Sequence, residues 1–79
     1  MIAPKLDALR TQLHAKVLIQ HKVRSHFYVG PNLWTENPDA AFDFETSSRA
    51  FWFSRSARLS DVQVVVYSAN LGQLVVADQ

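Results

Sequence analysis

The stretch VQVVVY at residues 62–67 restricts the possible folds of this chain more than any other feature. A run that is apolar at nearly every position must be covered on both faces or lie in the middle of a sheet. The aromatic run SSRAFWFSRSARL, residues 47–59, comes directly before it, and its apolar residues have helical spacing. We therefore predict a central strand with a helix packed against it.

The length of 79 residues leaves room for one small core, so we predict a single domain over residues 1–79. No cysteine is present, and disulfide bonds therefore cannot stabilise that core. Aromatic residues make up 11% of the chain, and we expect them to compensate for its small size by building an aromatic core. The expected core aromatics are Phe27, Trp34, Phe42, Phe44, Trp52 and Phe53.

The leucines at positions 6, 9 and 13 lie three and four residues apart. This spacing predicts a short amphipathic helix over residues 4–14. Its packing partner is the sheet of the same chain or a second copy of the protein, and the sheet is favoured because so short a helix is not stable alone. Charged residues interrupt the apolar ones within the first twenty positions, so neither a signal peptide nor a membrane span is expected. Together with the absence of cysteine, this favours a soluble, cytoplasmic protein that does not contact a membrane.

Residues 16–22, KVLIQHK, have the alternation of a strand, and a second strand follows at residues 26–29. The turn signal Gly30-Pro31-Asn32 ends it. We expect a hairpin in which Val17 and Ile19 share a face with Phe27 and Val29. This arrangement requires an odd number of loop residues.

Asn37 stands before Pro38 as a helix cap would, so residues 38–41 predict either one helical turn or an irregular loop. Residues 42–45, FDFE, alternate aromatic and acidic side chains and predict a third strand with its carboxylates in solvent. Strand, helix and strand in succession over residues 42–67 predict a crossover between parallel strands. Residues 74–77 predict a last strand at a sheet edge.

These elements predict an α+β fold in the order α-β-β-β-α-β-β. We expect a mixed, mostly antiparallel sheet with both helices packed on one face.

Candidates for chemistry are weak. His14, His21 and His26 lack the spacing of three or four residues that places two metal ligands on one helix face, and the odd hairpin loop would separate His21 from His26. Asp43 and Glu45 alternate with phenylalanines, as in a solvated strand face. Two glycines in the whole chain leave no phosphate-binding loop. We therefore predict no catalytic residue, no metal site, no cofactor and no enzymatic activity.

The formal net charge of +1 is far from the basic excess of a dedicated nucleic-acid binder. We therefore predict a small interaction module that binds a protein, with self-association as a homodimer one form of this. The alternative is a weak nucleic-acid-binding domain that uses strand aromatics and scattered basic residues. Its basic residues would be Lys16, Lys22, Arg24, Arg55 and Arg58.

Phe51, Arg55 and Arg58 are the predicted partner-binding residues. The helical period places Phe51 with the arginines, on the side turned away from the valine strand. Aromatic residues and arginine are enriched at interface cores and hot spots. Two arrangements remain open: Phe51 contacts a partner, or the helix is rotated so that Phe51 belongs to the core.

Overall fold

The computed structural model describes residues 15–77. These residues form a small α+β domain in which one helix packs on one five-stranded sheet of order β3-β2-β1-β4-β5. The elements are β1 (Lys16–His21), β2 (Phe27–Gly30), β3 (Leu33–Thr35), a 3-10 turn (Pro38–Ala40), α1 (Ser47–Ser56), β4 (Val62–Ser68) and β5 (Gln73–Val76). The helix predicted over residues 4–14, and with it the placement of two helices on one face, lies outside the described residues.

The valine-rich strand lies at the centre of the fold, as the sequence predicts. Strand β4 pairs with β1 in an unbroken antiparallel register, from Lys16 opposite Tyr67 to His21 opposite Val62. Both strands have neighbours on their other sides, so their backbone groups are hydrogen-bonded along two edges. The fully buried large side chains all belong to this pair: Leu18, Ile19, Val17 and Val65.

The two faces of the sheet carry separate clusters of buried side chains. The helix face, against which α1 packs, contains Val17, Ile19, Tyr28, Phe44, Ala50, Val64 and Ala77. The opposite face contains Leu18, Phe27, Ala41 and Val65. Successive strand residues point to opposite faces, so this division follows directly from the strand register.

Lys16 binds the segment that covers the opposite face of the sheet through three hydrogen bonds. Its Nζ donates to the backbone carbonyl oxygens of Pro38, Asp39 and Ala41, at 3.1, 3.0 and 2.7 Å. These oxygens belong to the 3-10 turn and the residue after it, and the Pro38 carbonyl also accepts from the Ala41 amide at 3.2 Å. One ammonium group therefore fixes residues 38–41 beside Leu18.

The β1–β2 hairpin has a register different from the predicted one. Gln20 lies opposite Phe27, and the His21 amide donates to the His26 carbonyl at 2.7 Å. Four residues separate His21 from His26, so the predicted odd loop is wrong. Ser25, in the left-handed region with φ 60°, supplies the extra residue that completes the turn. Tyr28, not Phe27, consequently joins the helix face.

No strand forms at residues 42–45, and the predicted parallel crossover is also wrong, because all four strand pairs described are antiparallel. Asp43 is not on a solvated face: its Oδ1 accepts from the amides of Val17 and Glu45, at 3.0 and 2.8 Å. The Phe44 amide donates to the Val17 carbonyl at 2.8 Å. A carboxylate that binds nearby amides favours a turn over a strand, and Glu45 accordingly has φ 72°. The third strand is instead Leu33–Thr35.

Helix α1 confirms the predicted helix but faces the sheet in a different orientation. Thr46 caps it, accepting from the Arg49 amide at 3.1 Å. Ala50 is fully buried, whereas Trp52 is 70% exposed, so the prediction that Trp52 belongs to the core is wrong. The small Ala50 side chain allows close approach to the sheet, with Phe51 and Phe53 packed against the core on either side. Trp52 then points away.

Candidate binding groove

An apolar groove lies between the N-terminal half of α1, the end of β2 and the segment Phe42 to Phe44. It has a volume of about 610 Å³ and is open to solvent along one side. Five of the ten described residues that line it are aromatic: Tyr28, Phe42, Phe44, Trp52 and Phe53. Val29, Gly30 and Pro31 complete it on the β2 side, and Ser48 and Arg49 on the helix side.

Four of the five aromatic side chains of the groove are packed against one another. Tyr28, Phe44 and Phe53 form a triangle, with ring centroids 5.9 Å apart for Tyr28–Phe44, 5.1 Å for Tyr28–Phe53 and 5.2 Å for Phe44–Phe53. Phe42 lies edge-on to Phe44 at 4.8 Å. These separations are in the range of favourable aromatic contacts. The groove is therefore preformed by side chains that also belong to the core.

The exposed aromatics of the groove are Phe42 and Trp52, at 51% and 70%, so the prediction that Phe42 belongs to the core is also wrong. The chain turns beside them because Phe42 donates its amide to the Tyr28 carbonyl at 3.0 Å, which fixes the segment against the end of β2. Trp52 is fixed by the rotation of α1, which buries Ala50. Two large apolar side chains thus remain in water at positions that the backbone determines.

Among the described residues that line the groove, Arg49 alone carries a charge. Its Nη1 donates to Glu45 Oε1, four residues earlier. Both side chains are more than half exposed, so this pair adds little to stability. It does neutralise the rim, and the groove therefore offers an apolar surface without a net charge.

The predicted partner-binding residues lie elsewhere. Phe51 is half-buried and packs against the core cluster of the helix face. Arg55 and Arg58 are exposed, Arg55 in the last turn of α1 and Arg58 beyond its end. None of the three lines the groove. Partner binding by Phe51, Arg55 and Arg58 stays a prediction.

Two basic residues lie in the turn at the other end of the sheet. Lys22 and Arg24 lie in the β1–β2 turn, and the Lys22 amide donates to the Asp61 carbonyl at 2.7 Å. Asp61 and Arg58 both belong to the connection between α1 and β4. A second, smaller pocket of about 200 Å³ lies here, lined by Arg24, Trp34 and both hairpin histidines.

His21 and His26 form a register pair, contrary to the prediction that they lie on opposite sides. The His21 ring accepts from the Val23 and Arg24 amides, and His26 Nε2 lies 3.3 Å from Glu36 Oε2. No group of three or more metal-ligating side chains that could hold an ion is found within residues 15–77.

The sequence contained a signal for the exposed tryptophan that the prediction missed. Phe51, Trp52 and Phe53 are consecutive, and neighbouring helix positions are about 100° apart, so all three cannot face one sheet. One of them must be exposed. Which one depends on Ala50, the position where the helix approaches the sheet most closely.

No family model, curated protein or solved structure matches this chain. Within the described part of the chain, no helix has the length and apolar character needed to cross a bilayer.

Proposed function

We propose that this protein is a non-enzymatic interaction module that binds a segment of another protein in the aromatic groove. The observation that carries the proposal is the pair of exposed aromatics, Phe42 and Trp52, beside a preformed apolar groove of about 610 Å³. Aromatic side chains dominate the buried centres of protein interfaces. An aromatic surface held rigid before binding loses little side-chain entropy on complex formation.

The proposed occupant is a short segment that carries at least one large apolar side chain. An acidic segment is disfavoured because Arg49 already pairs with Glu45. The open side of the groove also disfavours a small molecule, since small-molecule sites bury most of the ligand surface. A protein segment can continue past the groove in both directions and use its open side.

The test is selection of binders from a random peptide library on the intact protein, followed by titration calorimetry. We expect the selected peptides to share a large apolar residue. Trp52→Ser should weaken their binding by about 30-fold, the effect of a hot spot worth about 2 kcal/mol. Its thermal midpoint should stay within a few degrees, because Trp52 is mostly exposed.

Val23→Ser is the matched control, because Val23 is 78% exposed and lies in the β1–β2 turn, away from the groove. It should leave peptide binding unchanged. Peptides that bind the Trp52→Ser and wild-type proteins equally would contradict the proposal. So would a result in which no peptide binds while a small apolar dye binds in a Trp52-dependent manner, since the groove would then be a small-molecule site.

A second candidate function is weak binding of single-stranded nucleic acid at the basic end of the sheet. The observation that favours it is the pocket lined by Arg24 and Trp34. Lys22 lies in the same turn, and its amide donates to the Asp61 carbonyl in the connection that follows α1. Lys16 does not contribute, because it lies at the other end of β1 and is engaged by three carbonyls. Binding of this kind should weaken with salt by a log-log slope of about −0.7 per phosphate contacted, whereas peptide binding in the groove should be nearly independent of salt.

A further inference from the structure

Strand β5 forms one edge of the sheet, and its side chains are apolar and exposed. Leu74, Val75 and Val76 are 44%, 54% and 52% exposed. Within residues 15–77, four of the eight exposed large apolar side chains lie in residues 71–76, since Leu71 precedes the strand. Single exposed apolar side chains are normal, but a contiguous group at a sheet edge marks an interaction surface.

The backbone of β5 presents a regular set of groups at this edge. The Ala77 amide donates to the Val64 carbonyl at 2.8 Å, and Val75 lies opposite Val66. Hydrogen-bonding groups alternate along an antiparallel strand, so those of Val75 and Ala77 point toward β4. The N–H and C=O groups of Leu74 and Val76 therefore point away from the sheet.

The other edge of the sheet differs from this one. Strand β3 has three residues, and its pairing with β2 is irregular between Tyr28 and Gly30. Pro31 precedes it, and the charged Glu36 and then Pro38 follow it. Short length, irregular pairing, charge and proline are the features that protect edge strands from further pairing. Strand β5 is also short, with four residues (QLVV), but it contains no charged residue and no proline. Its pairing with β4 is regular.

We propose that two copies of this chain associate by antiparallel pairing of their β5 strands, forming one sheet of ten strands, five from each copy. The register places Leu74 of each copy opposite Val76 of the other. All four outward-pointing groups of each strand are then hydrogen-bonded, giving four bonds across the interface. Val75 of the two copies meets on the two-fold axis, as a closed symmetric pair requires.

The side chains suit the same register. Val75 lies on the helix face, so the two Val75 side chains are neighbours there, and Leu74 and Val76 pair on the opposite face. Apolar and β-branched pairs stabilise neighbouring strands, and no charge within β5 opposes them. Four residues per strand bury less than the roughly 1,000 Å² typical of stable complexes. The dimer should therefore be reversible and form at high concentration.

Cysteine substitution tests the register, because the chain has no native cysteine. The Cα atoms of the axial pair should be about 4.5 Å apart, within the range that a disulfide bond spans. Under mild oxidation, Val75→Cys should form covalent dimers at least about tenfold faster than Leu71→Cys or Val23→Cys, two controls at positions that are at least as exposed as Val75. Leu74→Cys and Val76→Cys should crosslink in a mixture faster than either does alone.

Sedimentation of the native protein over a concentration series provides the second measurement. We expect a concentration-dependent dimer that Val75→Lys abolishes while the circular dichroism spectrum and thermal midpoint are retained. Equal crosslinking rates for Val75→Cys and the two controls would overturn the proposal. So would a wild-type protein that remains monomeric up to about 1 mM. Neither result bears on the aromatic groove, whose binding is tested by Trp52→Ser.

Discussion

The two faces of the sheet are covered by segments that are held in place by different interactions. On the helix face, Ala50, Phe51 and Phe53 of α1 cover the buried valines and Ile19 by apolar packing. On the opposite face, Lys16 holds residues 38–41 against the sheet through three hydrogen bonds to backbone carbonyls. Apolar packing is non-directional, whereas these hydrogen bonds require one position for each atom.

This difference explains where the candidate groove lies. Apolar packing of a helix tolerates a rotation that leaves one aromatic in water, and Trp52 is that residue. The opposite face has no α-helix among the described residues, and the segment that covers it, residues 38–41, is fixed by Lys16. Mutations should therefore distinguish the two faces by their sensitivity to apolar truncation, to loss of charge and to pH.

The largest expected effects are those of Leu18→Ala on the opposite face and Ile19→Ala on the helix face. Both side chains are fully buried. Each substitution should lower the free energy of unfolding by about 2 to 5 kcal/mol, a large part of the total for a domain of this size. Urea unfolding measures both. A small loss at one position alone would mean that its face of the sheet is not closely packed.

Lys16→Met should have the next largest effect. It retains the apolar part of the side chain but removes three hydrogen bonds to carbonyls. We expect a loss of about 1.5 to 3 kcal/mol in unfolding free energy, the usual effect of hydrogen bonds to a charged group. Lys22→Met, in the exposed β1–β2 turn, is the control and should change stability by less than about 0.5 kcal/mol. Equal effects of the two substitutions would show that the opposite face does not depend on Lys16.

Arg58→Gly should stabilise the protein by about 1 kcal/mol. Arg58 has φ 55° directly after the helix cap Ala57, and the Leu59 and Arg58 amides donate to the Ser54 and Arg55 carbonyls, at 2.9 and 3.1 Å. This is the Schellman arrangement, in which glycine is preferred because it adopts the left-handed conformation without strain. Urea unfolding should show the gain, and Arg55→Gly inside the helix should show a loss of similar size.

An unchanged or lower midpoint for Arg58→Gly would mean that the arginine side chain itself stabilises the helix end. A gain would instead mean that the native protein retains arginine there despite the strain, as residues at functional sites do. That outcome would favour the predicted role of Arg58 in binding.

The central strand, the helix and the last edge strand could be predicted from sequence because each has a strong pattern of its own. VQVVVY is apolar at nearly every position, and Thr46 to Arg49 has the cap and first turn of a helix. The third strand was mislocated because FDFE alternates like a strand. Within this segment, the Asp43 side chain accepts a hydrogen bond from the amide of Val17, which is 26 positions away in the sequence. No local sequence pattern reveals such a contact.

The candidate groove was harder to predict than the fold. The period of the helix identifies a stripe of residues, but the rotation of α1 depends on which side chain allows close approach to the sheet. The prediction treated Trp52 as a core residue and therefore placed the buried face of the helix at Trp52. In the structure the fully buried residue of the helix is the small Ala50. The groove also requires Tyr28 on the helix face. Tyr28 lies there because the β1–β2 loop has an even number of residues, whereas the prediction assumed an odd number.

The last prediction has the smallest expected effect and concerns the pH dependence of stability. It applies to the opposite face and not to the helix face. Tyr67 is half-buried on the opposite face. Burial of the phenol, the negative charge of Asp39 and a hydrogen bond to that carboxylate raise the pKa of Tyr67 above its ordinary value of 10.0. The protonated phenol of Tyr67 therefore contributes to the free energy of unfolding. This contribution is fully present below pH 10.0, where the phenol is protonated in both the folded and the unfolded state. It is lost as the pH rises through the folded-state pKa, because the unfolded chain ionises first.

Tyr67→Phe lacks this linkage. The difference in urea midpoint between the wild type and Tyr67→Phe should be constant up to about pH 9 and should shift against the wild type from about pH 10 upward. Tyr28→Phe, on the helix face, is the control and should retain the alkaline loss due to Tyr67. A pH-independent difference between wild type and Tyr67→Phe would show that Asp39 does not hold the Tyr67 phenol in solution, and that the 3-10 turn is fixed to the sheet by Lys16 without it.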